Sequence, residues 1–474
     1  MNSYDVRFWS IKTNYGAGKH SGKRPAVSHT VRWKVARREK SQTFKYKSGA
    51  ENFLFDLRRA VKNEEAFDVE TGLPESMTEK PSGVSWLDYS ASYVAKRWGK
   101  DAPNTRKGVL EALATTVPAL VRDLPGKPDR KILYRAVCHY ALPPVPEGQT
   151  AKTPPPDIAA ALRWLEKASL PVSAVMDEDV LTEALKALTL RLDGKPAAAN
   201  TVARKRSVLY NALKRAAKGK KRLIPKNPMP DVDWEPDKAA EQIDRRSVCN
   251  PRQAAELLTA VTYVGSRDPL RGRRLVAMFG CMYYGALRTA EALALREQDC
   301  DLPESGWGML YLAKSSPEVG KRYTGTGNRH DPRHLKHRAA NEVRPVPIPP
   351  VLVRMLREHI SEFGTAPDGR LFRQPGGNVI PSSSYTDVWR QARLLALPPD
   401  KADSPLAERP YDLRHAGVSA WLNSGVPPTK VAERAGHSVN VLLRVYAKCM
   451  DGDDAIANRR IDRMLGGDEE QDDE

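Results

Sequence analysis

The chain has 474 residues, of which 41% are hydrophobic and 28% charged. That length sets an expectation of two or three domains, and no apolar run is long enough to cross a bilayer, which excludes a membrane-spanning protein. Lysine and arginine number 76 against 58 acids, a formal net charge of +18, and such an excess suits a polyanionic partner because neutralised phosphates release condensed counterions. The body is more basic still, since six of the residues from Asp468 to Glu474 are acidic; this tail reads as a solvated, disordered end. Cys138, Cys249, Cys281, Cys300 and Cys449 show no paired spacing. With Met1–Asp5 lacking the charge and apolar core of a leader, reduced thiols in a cytoplasm are expected rather than a disulfide frame or a zinc site.

Residues 1–75 read as a small β-sheet followed by one helix. Val31, Trp33 and Val35 alternate with Thr30, Arg32 and Lys34, the period-two pattern of a strand with one buried face. Val6–Ile11 and Thr43–Tyr46 flank it as partner strands. Ser48 with Glu51 reads as a capping box, ahead of a helical apolar stripe of Ala50, Phe53, Leu54, Leu57 and Val61. The polar face of the sheet carries Arg7, Arg32, Lys34 and Lys45. Arg32 and Lys34 are candidate DNA contacts, although a solvated edge has the same pattern.

From about 80 to 235 the pattern is helical, interrupted by Pro143–Pro146 and Pro154–Pro156, which mark a loop. The last helix, Asn200 to about Lys218, has Val202, Val208, Leu209 and Leu213 on its apolar side. Its polar side carries Arg204, Lys205, Arg206, Lys214, Arg215 and Lys218. Such a helix packs inward while following a phosphate backbone, so Arg204, Lys205 and Arg206 are candidate DNA-binding residues; a plain solvated helix fits the same residues. Lys220–Pro228 reads as a basic connector.

The third region begins near Arg245. Asn250 followed by Pro251 marks a helix start, with Leu257, Leu258 and Val261 as its buried stripe. A second helix through Leu275–Tyr284, extended pieces at Met309–Ala313 and Val343–Ile348, and helices to about Leu465 follow. The fold class expected for the whole chain is α+β, mainly helical, with a small N-terminal sheet plus helix, a helical middle domain and a mainly α third domain containing a small sheet.

The chemistry lies in this third region. Arg288 sits in Gly285-Ala286-Leu287-Arg288-Thr289-Ala290-Glu291, Arg414 in Tyr411-Asp412-Leu413-Arg414-His415, and Gly436-His437 and Tyr446 follow. Guanidinium groups hold non-bridging phosphate oxygens bidentately and stabilise negative charge as it builds. A tyrosine hydroxyl attacks phosphorus and stores the bond energy in an ester. A helix over Leu413–Trp421 stopped by Gly425, and another capped by Ser438 with Tyr446 near its end, place these groups on defined elements. Such chemistry needs no metal, and no cofactor is expected. A lone Arg-x-x-Glu is ordinarily an exposed helix pair, and a lone tyrosine is ordinarily core. Only the joint order and spacing carries the functional reading.

Over about 250–450 these motifs resemble the tyrosine recombinase family. Its pattern is an arginine in a Leu-Arg-x-x-Glu-Leu box, a lysine on a β-hairpin, His-x-x-Arg-His, Gly-His, and then a tyrosine. Arg288 with Glu291, Arg414 with His415, Gly436 with His437, and Tyr446 match it in order and spacing. The preceding layout is similar to that of integrases with an N-terminal arm-type DNA-binding domain, here 1–75, and a helical core-binding domain, here 80–235, ahead of a catalytic domain, here 245–467. The resemblance implies attack by Tyr446 on a scissile phosphate, giving a 3′-phosphotyrosine and a free 5′ hydroxyl. Arg288 and Arg414 would stabilise the transition state, His437 would hydrogen-bond the phosphate, and Glu291 would buttress Arg288. It further implies double-stranded DNA attachment sites as substrate and a homotetramer in which Ala447 to about Leu465 packs on a neighbour. DNA-bending accessory proteins and a cytoplasmic, nucleoid-associated, bacterial setting follow in the same way, as does independence of ATP and metal.

The family's lysine precedes an Arg-x-Val-Pro strand, here Arg344-Pro345-Val346-Pro347. That points to Lys336 as the acid protonating the leaving 5′ oxygen, with Lys314 as second candidate and Ser315–His334 as an insertion. His330 and His334 of the insertion, with His337 just beyond it, lack cysteines or an acidic cluster to complete a metal site, so a basic DNA-facing loop is expected. One position departs from the pattern: Tyr411 stands where the family has histidine. A tyrosine donates a hydrogen bond to a phosphate oxygen but is a poor base near neutrality, which leaves His415 or His437 to supply basicity. Two rival readings remain. Leu422–Tyr446 read as helix-turn-helix makes the chain a non-catalytic DNA-binding regulator, and a type IB topoisomerase uses the same chemistry to relax supercoils.

Overall fold

The computed structural model of the chain describes residues 2–15, 26–74, 77, 83–145, 150, 152–218, 222–234, 242–266, 268–335, 342–446, 458, 461–462 and 464–465. The fold is α+β and mainly helical. In the N-terminal part, β1 (Asn2–Ser3), β2 (Val6–Phe8), β3 (Lys12–Tyr15), β4 (Ala26–Val35) and β5 (Arg38–Phe44) precede α1 (Lys47–Lys62) and β6 (Phe67–Asp68). The long strand β4 is central and antiparallel to β2, β3 and β5. Val31, Trp33 and Val35 are buried beneath Ala50, Leu54 and Leu57 of α1, as the alternation requires. The extended stretch expected over Val6–Ile11 ends at Phe8, and a separate strand resumes at Lys12. The expected capping box is absent because α1 starts at Lys47, which puts Ser48 inside the first turn; Glu51 instead pairs with Lys47 at 3.2 Å. Ala60 rather than Val61 completes the buried stripe.

In the middle part, α2 (Trp86–Trp98), α3 (Pro103–Thr116), α4 (Arg130–Ala136), α5 (Pro156–Ala168), α6 (Glu178–Leu188) and α7 (Ala199–Ala216) share one core. It contains Trp86, Leu110, Leu113, Leu165, Leu185, Leu209 and Leu213. The helix starts follow from local chemistry. Ser85 and Asp177 accept first-turn amides of α2 and α6, and proline opens α3 and α5.

The third part is built on α8 (Pro251–Thr262), α9 (Leu270–Tyr284) and the short α10 (Thr289–Ala292). After them come β7 (Cys300–Asp301), β8 (Gly308–Leu312), β9 (Lys314–Ser315), β10 (Arg333–His334) and β11 (Arg344–Ile348). The remaining helices are α11 (Pro350–Phe363), α12 (Ser382–Ala396), α13 (Pro399–Ala402), α14 (Asp412–Asn423), α15 (Pro428–Ala435) and α16 (Val439–Tyr446). Asn250 and Gln253 cap α8 reciprocally. The antiparallel sheet runs β11-β8-β7 and buries Leu310, Leu312, Val346 and Ile348. Helix α9 packs on α8, α11 and α14. At its crossing with α14, a Cβ on Gly417 would lie 2.0 Å from the Tyr283 carbonyl oxygen. Only glycine permits that approach, and the crossing fixes where Arg414, earlier on α14, points. As expected, α14 stops before Gly425, whose φ is +79°.

The segment between β9 and β10 is tied to the helical middle part. Arg106 donates to the Tyr323 carbonyl at 3.0 Å, and the Tyr323 side chain packs against the middle core. Glu318 accepts the Ser382 amide at 2.7 Å. A loop of this length needs partners for its backbone and its large apolar groups; the middle part supplies them at Tyr323, and the third part and the loop itself supply them elsewhere. Among the described residues no helix is long and apolar enough to cross a membrane, and no group of three His, Cys, Asp or Glu could hold a metal ion.

Removing the Tyr323 side chain therefore loosens this strap. In Tyr323→Ala, amide exchange over 316–335 rises about tenfold, the equivalent of roughly 1.4 kcal/mol of local stability, while exchange in α8 is unchanged. Equal exchange in both proteins would show that the docked ring does not hold the strap.

Candidate active site

Three parts of the chain converge on one carboxylate. Glu291, on α10, is only 2% exposed. Its oxygens accept from the Arg288 amide at 2.9 Å, the Arg288 guanidinium at 2.7 Å and both terminal nitrogens of Arg344 at 3.1 and 2.7 Å. The Arg414 guanidinium stands 4.0 Å away. Burial alone would push the Glu291 carboxyl up, but Arg344, then Arg288 and Arg414, outweigh it and hold its pKa at about 2. The reciprocal bond between Glu291 and the Arg288 amide also starts α10, so one side chain caps the helix and gathers the cations.

Arg414 is fully buried on α14. It donates to the Ala286 carbonyl, to the Ala435 carbonyl at 2.6 Å and to Nε2 of His437. Arg288 reaches the Gly436 carbonyl at 2.7 Å. Gly436 has φ +66°, and a Cβ there would lie 2.1 Å from Arg344 Nη1. The left-handed turn before His437 and the space for Arg344 both need glycine. Ala286 holds φ +48° without that freedom, so strained backbone presents its carbonyl to Arg414.

Tyr446 ends α16 with no exposed surface, packed in a small cluster with Ala286, Val418, Val431, Ala435 and Leu442. Ser438 accepts the Val441 amide at 3.2 Å, the expected cap of this helix. The Tyr446 hydroxyl lies 3.0 Å from His415 Nδ1, and its ring is 6.0 Å from that of His437. Tyr411 is set edge-on to His415 with ring centroids 5.0 Å apart. Burial depresses both histidines, His437 to about 3 with help from Arg414 and Arg288, and His415 to about 4. Both are neutral at pH 7. Arg344 Nε, Arg414 Nε and His437 Nδ1 are buried without a hydrogen-bond partner among the described residues.

The charge count follows. Arg288, Arg344 and Arg414 face one carboxylate, and the histidines are neutral, so the cluster carries a net excess of two positive charges. Buried charge of one sign is costly until an anion is supplied. An arrangement of guanidinium groups, a neutral imidazole and a hydroxyl can seat a phosphodiester and stabilise the extra charge of its transition state.

The other residues singled out in the sequence are placed as follows. Lys336 lies outside the described residues. Lys314 is exposed on β9 opposite His334, and the Ser316 amide that follows donates to the Ala290 carbonyl at 2.8 Å, so this strand runs beside α10. Arg204 pairs with Glu111 at 2.9 Å, Lys205 donates to Thr115 at 3.0 Å, and Arg206 lies over the Trp234 ring; none of the three meets the cluster. Arg32 is exposed and stacks on Trp9, and Lys34 is half-buried opposite Glu39. Arg344 was noticed in the sequence only as the start of a strand. The period of two puts it on the same face as Val346 and Ile348, which was the available signal that it points inward.

No family model matches the chain. It is 25% identical to a tyrosine recombinase XerC-like protein of Caldanaerobacter subterraneus subsp. tengcongensis over 194 residues, 38% of this chain and 47% of that one. It is 23% identical to an integrase of a Mycobacterium phage over 185 residues, 38% of this chain and 45% of that one. The chain thus spans about half the length of the curated relatives it matches. Among solved structures, the Tn1549 transposon integrase in complex with transposon right end DNA superposes with a TM-score of 0.50 at 17% identity. That alignment covers 81% of this chain and all of the other, and shows a shared fold.

Two outcomes follow from the cluster. Glu291→Gln removes the charge that compensates buried Arg344 and Arg414, so it costs about 3–5 kcal/mol in denaturant unfolding; a loss below about 1 kcal/mol would deny Glu291 its central place. Because the folded pKa values of His415 and His437 lie below the ordinary 6.5, their contribution is complete above pH 6.5 and is lost as pH falls toward about 4 and 3. The unfolding midpoint should fall across that window, and His437→Asn should flatten the fall. A midpoint constant from pH 7 to 4.5 would contradict neutral, buried imidazoles.

Proposed function

The chain belongs to the tyrosine recombinase family, and on that premise we propose that it cuts and rejoins DNA at specific sites through a 3′-phosphotyrosine at Tyr446. The single observation that supports this most directly is the Tyr446 hydroxyl 3.0 Å from His415, with His437 and Arg414 beside it, next to an arginine cluster with two uncompensated positive charges. The scissile phosphate enters at Arg288, the partly exposed arginine of the three, and His437 supplies a hydrogen bond to a non-bridging oxygen. Arg288 and Arg414 stabilise the pentacoordinate transition state, and Glu291 with Arg344 positions them. The leaving 5′ oxygen takes its proton from a lysine. Lys336 is the residue that sequence spacing favours, while Lys314 gains support from the course of β9 beside α10. The incoming 5′ hydroxyl of a partner duplex reverses the step, so the bond energy held in the ester suffices.

The remaining assignments belong to the same proposal. Residues 1–75 serve as an arm-type DNA-binding domain, with Arg32 and Lys34 facing the phosphates. Residues 80–235 form the core-binding domain, and 245–467 the catalytic domain. The two relatives are named a tyrosine recombinase and an integrase, and the solved neighbour was captured on transposon-end DNA. Their names favour integration or excision of a mobile element; a homotetramer on two attachment sites, a bacterial nucleoid and DNA-bending accessory proteins are parts of the proposal that rest on the motif resemblance alone.

Incubation with a nicked duplex carrying the attachment site yields a covalent protein–DNA adduct on a denaturing gel, and Tyr446→Phe yields none. Binding without an adduct would favour the regulator, and site-independent relaxation of supercoiled plasmid would favour the topoisomerase. Tyr411→His should change adduct formation by less than about tenfold, because the site already contains a neutral imidazole at the nucleophile. A rise of several orders of magnitude would identify Tyr411 as a lost catalytic position.

A further inference from the structure

We propose that His415 is a catalytic residue of this site, the group that takes the proton from the Tyr446 hydroxyl as its oxygen attacks phosphorus. The proposal rests on the phosphotyrosine reading above and deepens it. Three groups beside the nucleophile are candidates for this role. His437 is disfavoured because its Nε2 faces the Arg414 guanidinium, a group that only donates, so that lone pair is already engaged. Tyr411 is disfavoured because a phenol is a poor proton acceptor near neutrality. His415 combines the geometry and the basicity: its Nδ1 lies 3.0 Å from the Tyr446 oxygen, within the reach a general base needs.

The surroundings of the imidazole fit the step. Tyr446 approaches it from α16, and the Tyr411 ring stands edge-on at 5.0 Å. Burial keeps it neutral, assisted by the positive charges of Arg414 and Arg409, so the free base is present at pH 7. Asp412 acts in the opposite direction, favouring the imidazolium once the proton arrives; its carboxylate is buried and held by Arg409. His437 is the other imidazole nearby and is also neutral. In the forward step the Tyr446 O–H bond breaks and its proton moves to Nδ1. The oxygen–phosphorus bond forms, and the bond from phosphorus to the 5′ oxygen breaks, the lysine protonating that oxygen. On religation the imidazolium returns its proton to the departing tyrosine oxygen, so protons balance over the cycle and nothing is oxidised or reduced.

The test is single-turnover cleavage of the nicked duplex from pH 5 to 9, with DNA affinity measured in parallel, for wild type, His415→Asn and His415→Gln. The Asn oxygen occupies the place of Nδ1 and accepts the hydrogen bond but not the proton. Cleavage by His415→Asn should fall about 10²–10³-fold with DNA affinity within about twofold, and the acid limb of the rate profile should disappear. Cleavage within about threefold of wild type overturns the proposal, as does a fall that leaves the profile unchanged, which marks a structural role. Should His415→Asn fail to fold, His415→Gln carries the same comparison. Independently of any substitution, a wild-type acid limb at or above pH 6.5 also overturns it. Absence of an adduct in wild type sinks the phosphotyrosine reading itself, whereas an adduct with an unaffected His415→Asn sinks only the role of His415.

Discussion

The buried carboxylate of Glu291 is the interaction on which the rest of the site depends. Three guanidinium groups of like charge cannot be brought together in a protein interior unless something offsets their repulsion and lost hydration. Glu291 does so with direct bonds to Arg288 and Arg344 and with Arg414 close by. The compensation is incomplete by design of the residue count, one anion for three cations. The remaining positive charge suits an anion, and in the proposed reaction it would match a transition state more negative than the ground state better than the ground state itself. The same carboxylate caps α10, so electrostatics and local backbone structure have one origin.

Backbone does as much positioning here as side chains. Arg414 is held by the carbonyls of Ala286 and Ala435, and Arg288 by that of Gly436. These carbonyls lie at the end of α9 and at the α15–α16 turn, both places where a helix leaves acceptors unsatisfied. The arginines therefore satisfy helix ends while being oriented by them. Glycine is required twice, at Gly417 for the helix crossing and at Gly436 for the turn and for Arg344. A cluster fixed in this way needs little rearrangement of its own groups when charge develops.

The regions that precede the third part carry their cations differently. Arg204, Lys205 and Arg206 are engaged with Glu111, Thr115 and Trp234, so their contribution to a polyanion's field comes from charge held in place rather than from free side chains. The strap from Glu318 to His330 links the middle and third parts through Tyr323. Relative placement of these two parts thus depends on a non-covalent contact in addition to the connecting chain.

The sequence by itself determined the local facts. Period two fixed the inward face of β4, the Asn250-Pro251 pair fixed the start of α8, and Ser438 and Gly425 fixed helix ends near Tyr446. Order and spacing of Arg288, Arg414, His437 and Tyr446 were enough to single out residues that the fold brings together, because such motifs are linear and each group's chemistry is intrinsic. The cap at Ser48 failed because a helix can begin two residues earlier at little cost, and local signals set boundaries weakly. What only the tertiary structure decided was partnership: that Arg344 joins Glu291, that Arg414 rests on Ala286, and that His415 meets the Tyr446 hydroxyl. These contacts join residues far apart in the chain, brought together by helix crossings whose geometry arises from packing the whole core. Hydrogen bonding and depressed pKa values belong to that assembled interior, and no window of sequence contains them.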